Sequence, residues 1–335
     1  MRSLSLASPI VAAPMAGGPT TQALLRAVSD AESLGFVPAG YRTAAQLAED
    51  VAGARHLSGE FGVNLFVPER EPVDLDAVRR YRDLIAAEVE STGAEVGPVV
   101  GDDDDDWDAK IDLLTREPLP WVSFTFGLPD DVTVSRLRAA GCRLLLTVTD
   151  LDEARAAAEL DPDGLIVQSA AAGGHRGTFD QRRAPATEDL PSLVGAVVAA
   201  TGVPVIAAGG VSDAAAVRTA LEAGAEAVAV GTALLLADEA GTRPTHREAL
   251  TDPASTTATM RAFTGRVARG IRTSFSDRYE SAAPPVYPAV HYLTSPMRRR
   301  AAQLGDRDHL HLWAGTGFRA ARAVPAREVL EALAP

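Results

Sequence analysis

Short apolar, β-branched runs recur along this chain, separated by stretches in which alanine and leucine return at helical spacing. That alternation predicts parallel βα units around a sheet buried on both faces. The expected strands are Ile10–Ala13, Gly35–Pro38, Gly62–Phe66, Trp121–Phe126, Arg143–Val148, Gly164–Gln168, Pro204–Ala208 and Ala227–Val230. Amphipathic stretches such as Ala44–Arg55, Leu151–Leu160 and Ala214–Ala223 would cover their outer face. Thr149-Asp150 and Ser212-Asp213 supply N-cap residue types at two expected helix starts. About eight strands are what a closed (β/α)8 barrel of roughly 250 residues needs, so the predicted class is α/β with a TIM barrel.

Two stretches break the alternation. Residues 67–119 form a long acidic insertion after the third strand. Its run Asp102–Asp106 lacks the alternating ligands and turn glycine of a calcium loop and reads as solvated. From Ala237 to Leu312 the strand signal stops in a segment rich in Arg, Thr and Pro, which predicts a smaller, mostly helical domain inserted after the eighth strand. The expected organisation is a barrel over 1–236, the inserted domain over 237–312, and a segment over 313–335 that returns to the barrel. A last helix, Pro325–Leu333, would carry proline in its first position.

Composition narrows the function classes. With 46% hydrophobic and 23% charged residues in a chain of 335, this is an ordinary globular composition. No apolar run reaches the roughly 20 residues of a membrane-spanning helix. A net charge of −13 argues against nucleic acid as a partner. The N-terminus has one Arg and a short apolar stretch, as a secretion signal would, but the two prolines of PIVAAPMAGG mark a first strand and turn. Cys142, the single cysteine, excludes an intrachain disulfide and a multi-cysteine metal site, reads as a small core residue, and fits a reducing cytoplasm. The oligomeric state, monomer or homodimer, is left open.

In a barrel the loops after the strand C-termini build the active site. The glycines fall there: Pro14-Met15-Ala16-Gly17-Gly18 after the first strand, Gly173-Gly174-His175-Arg176-Gly177 after the sixth, Gly209-Gly210 after the seventh and Gly231-Thr232 after the eighth. The last two follow adjacent predicted strands, so their backbone N–H groups are placed to converge on one phosphate. His175 is the one histidine of six in such a loop. Glycine on either side of His175-Arg176 lets a flat ligand approach the backbone, and an imidazole suits proton abstraction. His56, His246, His291, His309 and His311 sit in polar or irregular stretches and read as structural; no metal-ligand set is evident. Asn64 and Gln168 are amides within apolar strands, placed either to meet a cofactor edge or to be satisfied inside the barrel.

Taken together, PIVAAPMAGG, FGVNLFVP, LIVQSAAAGGHRGTF, PVIAAGGVSDAAAVRTALEAGAEAVAVGTALLL, FTGRVARGIRTSF and LTSPMRRRAAQLGDRDHLHLWAGTG resemble the nitronate monooxygenases, formerly 2-nitropropane dioxygenases, and most closely their bacterial class I group. The resemblance implies FMN at the top of the barrel. Its phosphate would rest on Gly209, Gly210, Gly231 and Thr232, and its ring near Pro14, Met15, Asn64 and Gln168, with Trp313, Gly315 and Gly317 beside the flavin and Ala16, Gly173 and Gly174 also binding the cofactor. His175 takes the position of the active-site base. The implied reaction is oxidation of an alkyl nitronate by O2 to a carbonyl compound and nitrite, with nitroalkanes or propionate 3-nitronate as substrates. Arg176, Arg266, Arg269 and Arg272 are the cations available to an anionic substrate. Two other readings stand beside it: an FMN-dependent NAD(P)H oxidoreductase of the quinone reductase or enoyl-acyl-carrier-protein reductase type, and a flavin-free phosphate-binding barrel.

Overall fold

In a computed structural model, which describes residues 3–69, 73–101 and 103–335, eight parallel strands close into a barrel in the order β1-β2-β3-β4-β5-β6-β8-β9. They are β1 Ile10–Ala12, β2 Leu34–Pro38, β3 Phe61–Phe66, β4 Trp121–Thr125, β5 Arg143–Val148, β6 Gly164–Gln168, β8 Val205–Ala208 and β9 Ala227–Val230. Each falls within one residue of its expected bounds. Closure is made by β1 against β9, with Val11 opposite Ala229. The strands are apolar on both faces because each has a core to fill. Inside, Val11, Phe36, Trp121, Leu145 and Ile206 pack together, and outside, a larger cluster joins strands to helices.

The helices up to β9 are α1 Gln22–Asp30, α2 Ala44–Ala54, α3 Leu75–Ser91, α4 Trp107–Arg116, α5 Asp131–Ala139, α6 Leu151–Ala158, α7 Leu190–Thr201 and α8 Ala214–Glu222, and all but α3 cover the barrel. Asp150 and Asp213 cap α6 and α8, each side chain accepting the N–H three residues on. The 67–119 insertion is more structured than its acidity indicated. Its helix α4 returns Trp107, Ile111 and Leu114 to the barrel's outer core. Its helix α3 buries Val78, Tyr81, Ile85 and Val89 in a second core. Of the run Asp102–Asp106, Asp102 lies outside the described residues. Asp104 and Asp106 are exposed, but Asp105 is ion-paired with buried Lys110, so the turn is only partly solvated.

After β9 come α9 Pro244–Thr251, β10 Thr257–Met260, β11 Ala268–Ile271, α10 Ser274–Tyr279, α11 Ala289–Leu304, β12 Leu312–Trp313 and α12 Ala326–Leu333. Besides the expected helices, segment 237–312 thus holds strands that periodicity passed over. They form a small antiparallel sheet, in which β11 pairs with β10, with β12 and with β7, the two residues Gly174–His175. Runs such as ARGI and LW are too short to carry a period of two. Pro325 stands just before α12, one position earlier than expected.

This small sheet positions the site. Strand β11 sets Ala268 opposite His175 and Gly270 opposite Trp313, so one backbone locates both the loop after β6 and the returning C-terminal segment.

Candidate active site

A cavity of about 440 Å3 opens at the C-terminal ends of the barrel strands. Every residue expected to meet the cofactor, and the expected base, lines it: Pro14, Met15 and Ala16 after β1, Asn64 on β3, Gln168, Gly173, Gly174 and His175 at and after β6, Gly209 and Gly210 after β8, Gly231 and Thr232 after β9, and Trp313, Gly315 and Gly317 on the returning segment.

The glycine loops touch one another. A Cβ on Gly209, whose φ is +104°, would fall 2.8 Å from the Ala172 nitrogen, and one on Gly173 would fall 2.9 Å from Oγ1 of Thr232. Gly315 closes the group, donating its N–H to that same Thr232 hydroxyl at 2.9 Å, while Thr316 donates to the Ala171 carbonyl at 3.0 Å. The amides of Gly210 and Gly231 have no protein acceptor among the described residues. Free N–H groups on close-packed backbone, without side chains in the way, fit an anion such as a phosphomonoester.

His175 lines the same cavity within an aromatic enclosure. Its ring centroid is 5.3 Å from Trp313, 5.4 Å from Tyr287 and 6.0 Å from Phe126. Burial, then the positive charges of Arg266 and Arg298, push its pKa down to about 3, so the imidazole is neutral at physiological pH. Gln168 braces this loop: Nε2 donates to the His175 carbonyl at 3.1 Å and Oε1 accepts the Gly177 N–H at 2.8 Å. Asn64 donates from Nδ2 to the hydroxyls of Ser123 and Thr125, both at 3.0 Å, and its Oδ1 has no protein partner among the described residues.

The four arginines expected to serve a substrate anion do not line the cavity. Arg176 donates to the carbonyls of Gln168 and Thr149, Arg266 to that of Thr178 and Arg269 to that of Ala170, whereas Arg272 pairs with Asp277. Buried guanidinium groups are claimed by backbone oxygens that would otherwise lose their hydrogen bonds. The cations that do line it are Arg243, Arg298 and Arg299. Arg298 is 5% exposed and has no carboxylate partner among the described residues; it donates to the His291 carbonyl, Ser295, Thr294 and His311.

The histidines read as structural divide. His56 lies away from the cavity, and His309 pairs with Glu88 and Asp306, but His246, His291 and His311 line it. All three are held below their ordinary pKa by burial, and Nε2 of His246 and Nδ1 of His291 have no hydrogen-bond partner. The missed signal was the spacing on α11, where His291, Ser295, Arg298 and Arg299 share one helical face. Among the described residues the cavity has no acidic lining residue, in a chain of net charge −13. No group of three or more His, Cys, Asp or Glu is arranged to hold a metal, and no helix is long and apolar enough to cross a membrane, again among the described residues.

A closed barrel whose strand-end cavity is lined by glycine loops with free amides and by a half-buried imidazole has the layout of a ligand-binding barrel enzyme. Comparison with known proteins makes the class particular. The nitronate monooxygenase family matches residues 1–335, and the chain belongs to that family of flavin-dependent oxidoreductases. It is 34% identical over 334 residues to a probable nitronate monooxygenase of Staphylococcus aureus, covering 98% of this chain and 93% of the other. The solved structure of a nitroalkane oxidase from Streptomyces ansochromogenes superposes with a TM-score of 0.93 at 42% identity, covering 98% of this chain and 95% of that one. FabK from Thermotoga maritima shares the fold, with a TM-score of 0.75 at 23% identity and coverage of 98% and 92%.

Proposed function

We propose that this enzyme oxidises alkyl nitronates with O2 to carbonyl compounds and nitrite, using FMN. The observation that carries the reading is the meeting, in one cavity, of unpartnered glycine amides with a neutral imidazole and an arginine that has no carboxylate partner among the described residues. The amides of Gly210 and Gly231 would hold the FMN phosphate. Pro14, Met15, Ala16, Asn64, Gln168, Gly173 and Gly174 would border the ring, with Trp313, Gly315 and Gly317 beside it. Bound there, FMN supplies one-electron redox chemistry between nitronate and O2.

The residues of the chain sort the substrate. Low dielectric and two nearby cations leave His175 a weak base, so it removes a carbon-bound proton slowly, and preformed nitronates are preferred to neutral nitroalkanes. A bound nitronate offsets the field of Arg266 and Arg298 at the ring. Arg298 replaces Arg176, Arg266, Arg269 and Arg272 as the cation for a substrate carrying a second anion, such as propionate 3-nitronate.

The experiment is nitrite release in air from ethylnitronate, propionate 3-nitronate and nitroethane, set beside anaerobic mixing with NADH. Nitrite from both nitronates, less from nitroethane, and a flavin that keeps its colour with NADH is the expected result. Bleaching by NADH without nitrite release would make the enzyme an NAD(P)H oxidoreductase, and a colourless protein would remove the flavin from the account.

A further inference from the structure

The acidic turn ahead of α4 takes no part in the chemistry above, yet it reaches the cavity wall. Asp105 and Asp106 both have left-handed backbones, at φ 55° and 58°. The carboxylate of Asp105 is directed inward: Oδ2 lies 2.8 Å from Nζ of Lys110, and Oδ1 accepts the backbone N–H of Tyr41 at 2.9 Å. Lys110, the only lysine of the chain, is 1% exposed and also donates to the Ala39 carbonyl at 3.0 Å. Asp106 accepts the N–H of Ala44 at 2.7 Å, and the Tyr292 hydroxyl bonds to Asp103. Three carboxylates of one turn thus grip the loop after β2, the start of α2 and helix α11.

Tyr41 is what they hold. Its φ of +66° is disfavoured for a bulky side chain and persists only where surroundings over-determine it. Its ring lines the cavity and stacks on His291, with centroids 4.4 Å apart and planes 8° apart. Its hydroxyl lies 3.1 Å from that of Tyr287, whose ring in turn packs against His175. A buried ion pair contributes little net stability, because desolvation offsets the attraction, but it fixes geometry, and losing one partner strands the other charge. We infer that Asp105 and Lys110 are a positioning pair for the reaction: they hold Tyr41 so that its ring and hydroxyl close the cavity wall beside His175, and so set how tightly substrate is bound.

This rests on the cavity being the substrate site. The test uses the full-length, flavin-loaded enzyme and a cycle of Asp105→Asn, Tyr41→Ala and the double variant, with exposed Asp108→Asn as control. Asp105→Asn is expected to raise KM for ethylnitronate about tenfold while kcat stays within about twofold. The double variant should be no worse than Tyr41→Ala alone, since both changes remove one wall. If a lone charge unfolds the single variant, Asp105→Asn with Lys110→Met leaves no stranded charge, and the same rise in KM is expected. Independent effects of Asp105→Asn and Tyr41→Ala, or an unchanged KM in both Asp105 variants, overturn the inference. A wild-type enzyme inactive on nitronates overturns the proposed function instead. The cycle is then read as the Kd for nitrite from the flavin absorbance, where the same non-additive pattern supports the pair and independent effects reject it.

Discussion

Nε2 of His175 lies 3.0 Å from Oγ1 of Thr264, and that hydroxyl gives its own proton to the Arg266 carbonyl at 3.2 Å. In that arrangement the hydroxyl accepts from His175, giving the neutral imidazole tautomer protonated at Nε2 with the Nδ1 lone pair free. Thr264→Val removes the acceptor and frees the tautomer. The expected outcome is about a tenfold loss of kcat/KM on nitroethane, near the worth of one hydrogen bond, at unchanged flavin content. Steady-state kinetics with an absorbance measurement of bound flavin checks it.

The pH profile follows from burial. With its pKa pushed down to about 3, His175 stays neutral from pH 5.5 to 8, and kcat/KM for a preformed nitronate should show no limb near 6.5 that depends on this residue. A limb near that value, absent in His175→Gln, would show a solvated, ordinary imidazole.

Gly231 tests the anion cradle without straining the backbone. Its φ is −119°, and an added Cβ would meet only ordinary contacts, 3.5 Å from Cβ of Ala13 and 3.7 Å from Sδ of Met15. Gly231→Ala is expected to purify yellow and Gly231→Asp to purify colourless, because a carboxylate repels phosphate where alanine does not. Equal flavin occupancy in the two variants would move the phosphate elsewhere.

Arg298 should sort substrates by charge. Arg298→Met is expected to raise KM for propionate 3-nitronate by about tenfold or more, the range of a hydrogen bond to a charged group, while ethylnitronate is affected less. Parallel increases for the two substrates would assign Arg298 to packing.

Stability carries its own pH signature. Burial alone would lower the pKa of His309, but hydrogen bonds to Asp306 and Glu88 more than offset it, and the folded value lies above the ordinary 6.5. A raised histidine stabilises fully below 6.5, and that contribution is lost as pH rises through the folded value. In His309→Gln the fall in denaturation midpoint between pH 6 and 8 should flatten. An unaltered slope would place the titration elsewhere.

The barrel and its glycine loops were legible in the chain, because strand burial on both faces leaves runs such as VIAA and AVAV and because cofactor-sized space above a strand end calls for glycine. The arginines were not. Arg176 and Arg298 look alike in sequence and both donate to backbone carbonyls, yet only Arg298 lines the cavity, a difference set by where folding places each side chain. His246 and His311 were passed over for the same reason, since neither carries a local mark of the surface it faces, whereas His291 is marked only by its helical spacing with Ser295, Arg298 and Arg299.

Local chemistry along the chain therefore determined the alternation of strands and helices, the aspartate caps and the loop that presents His175, all matters of residues within a few positions of one another. Tertiary structure alone decided what crosses long separations: β11 joining the His175 loop to Trp313, α3 packing under α11, and Asp105 reaching back to Tyr41. Such contacts are chosen by packing and hydrogen-bond satisfaction between segments whose sequences do not specify each other.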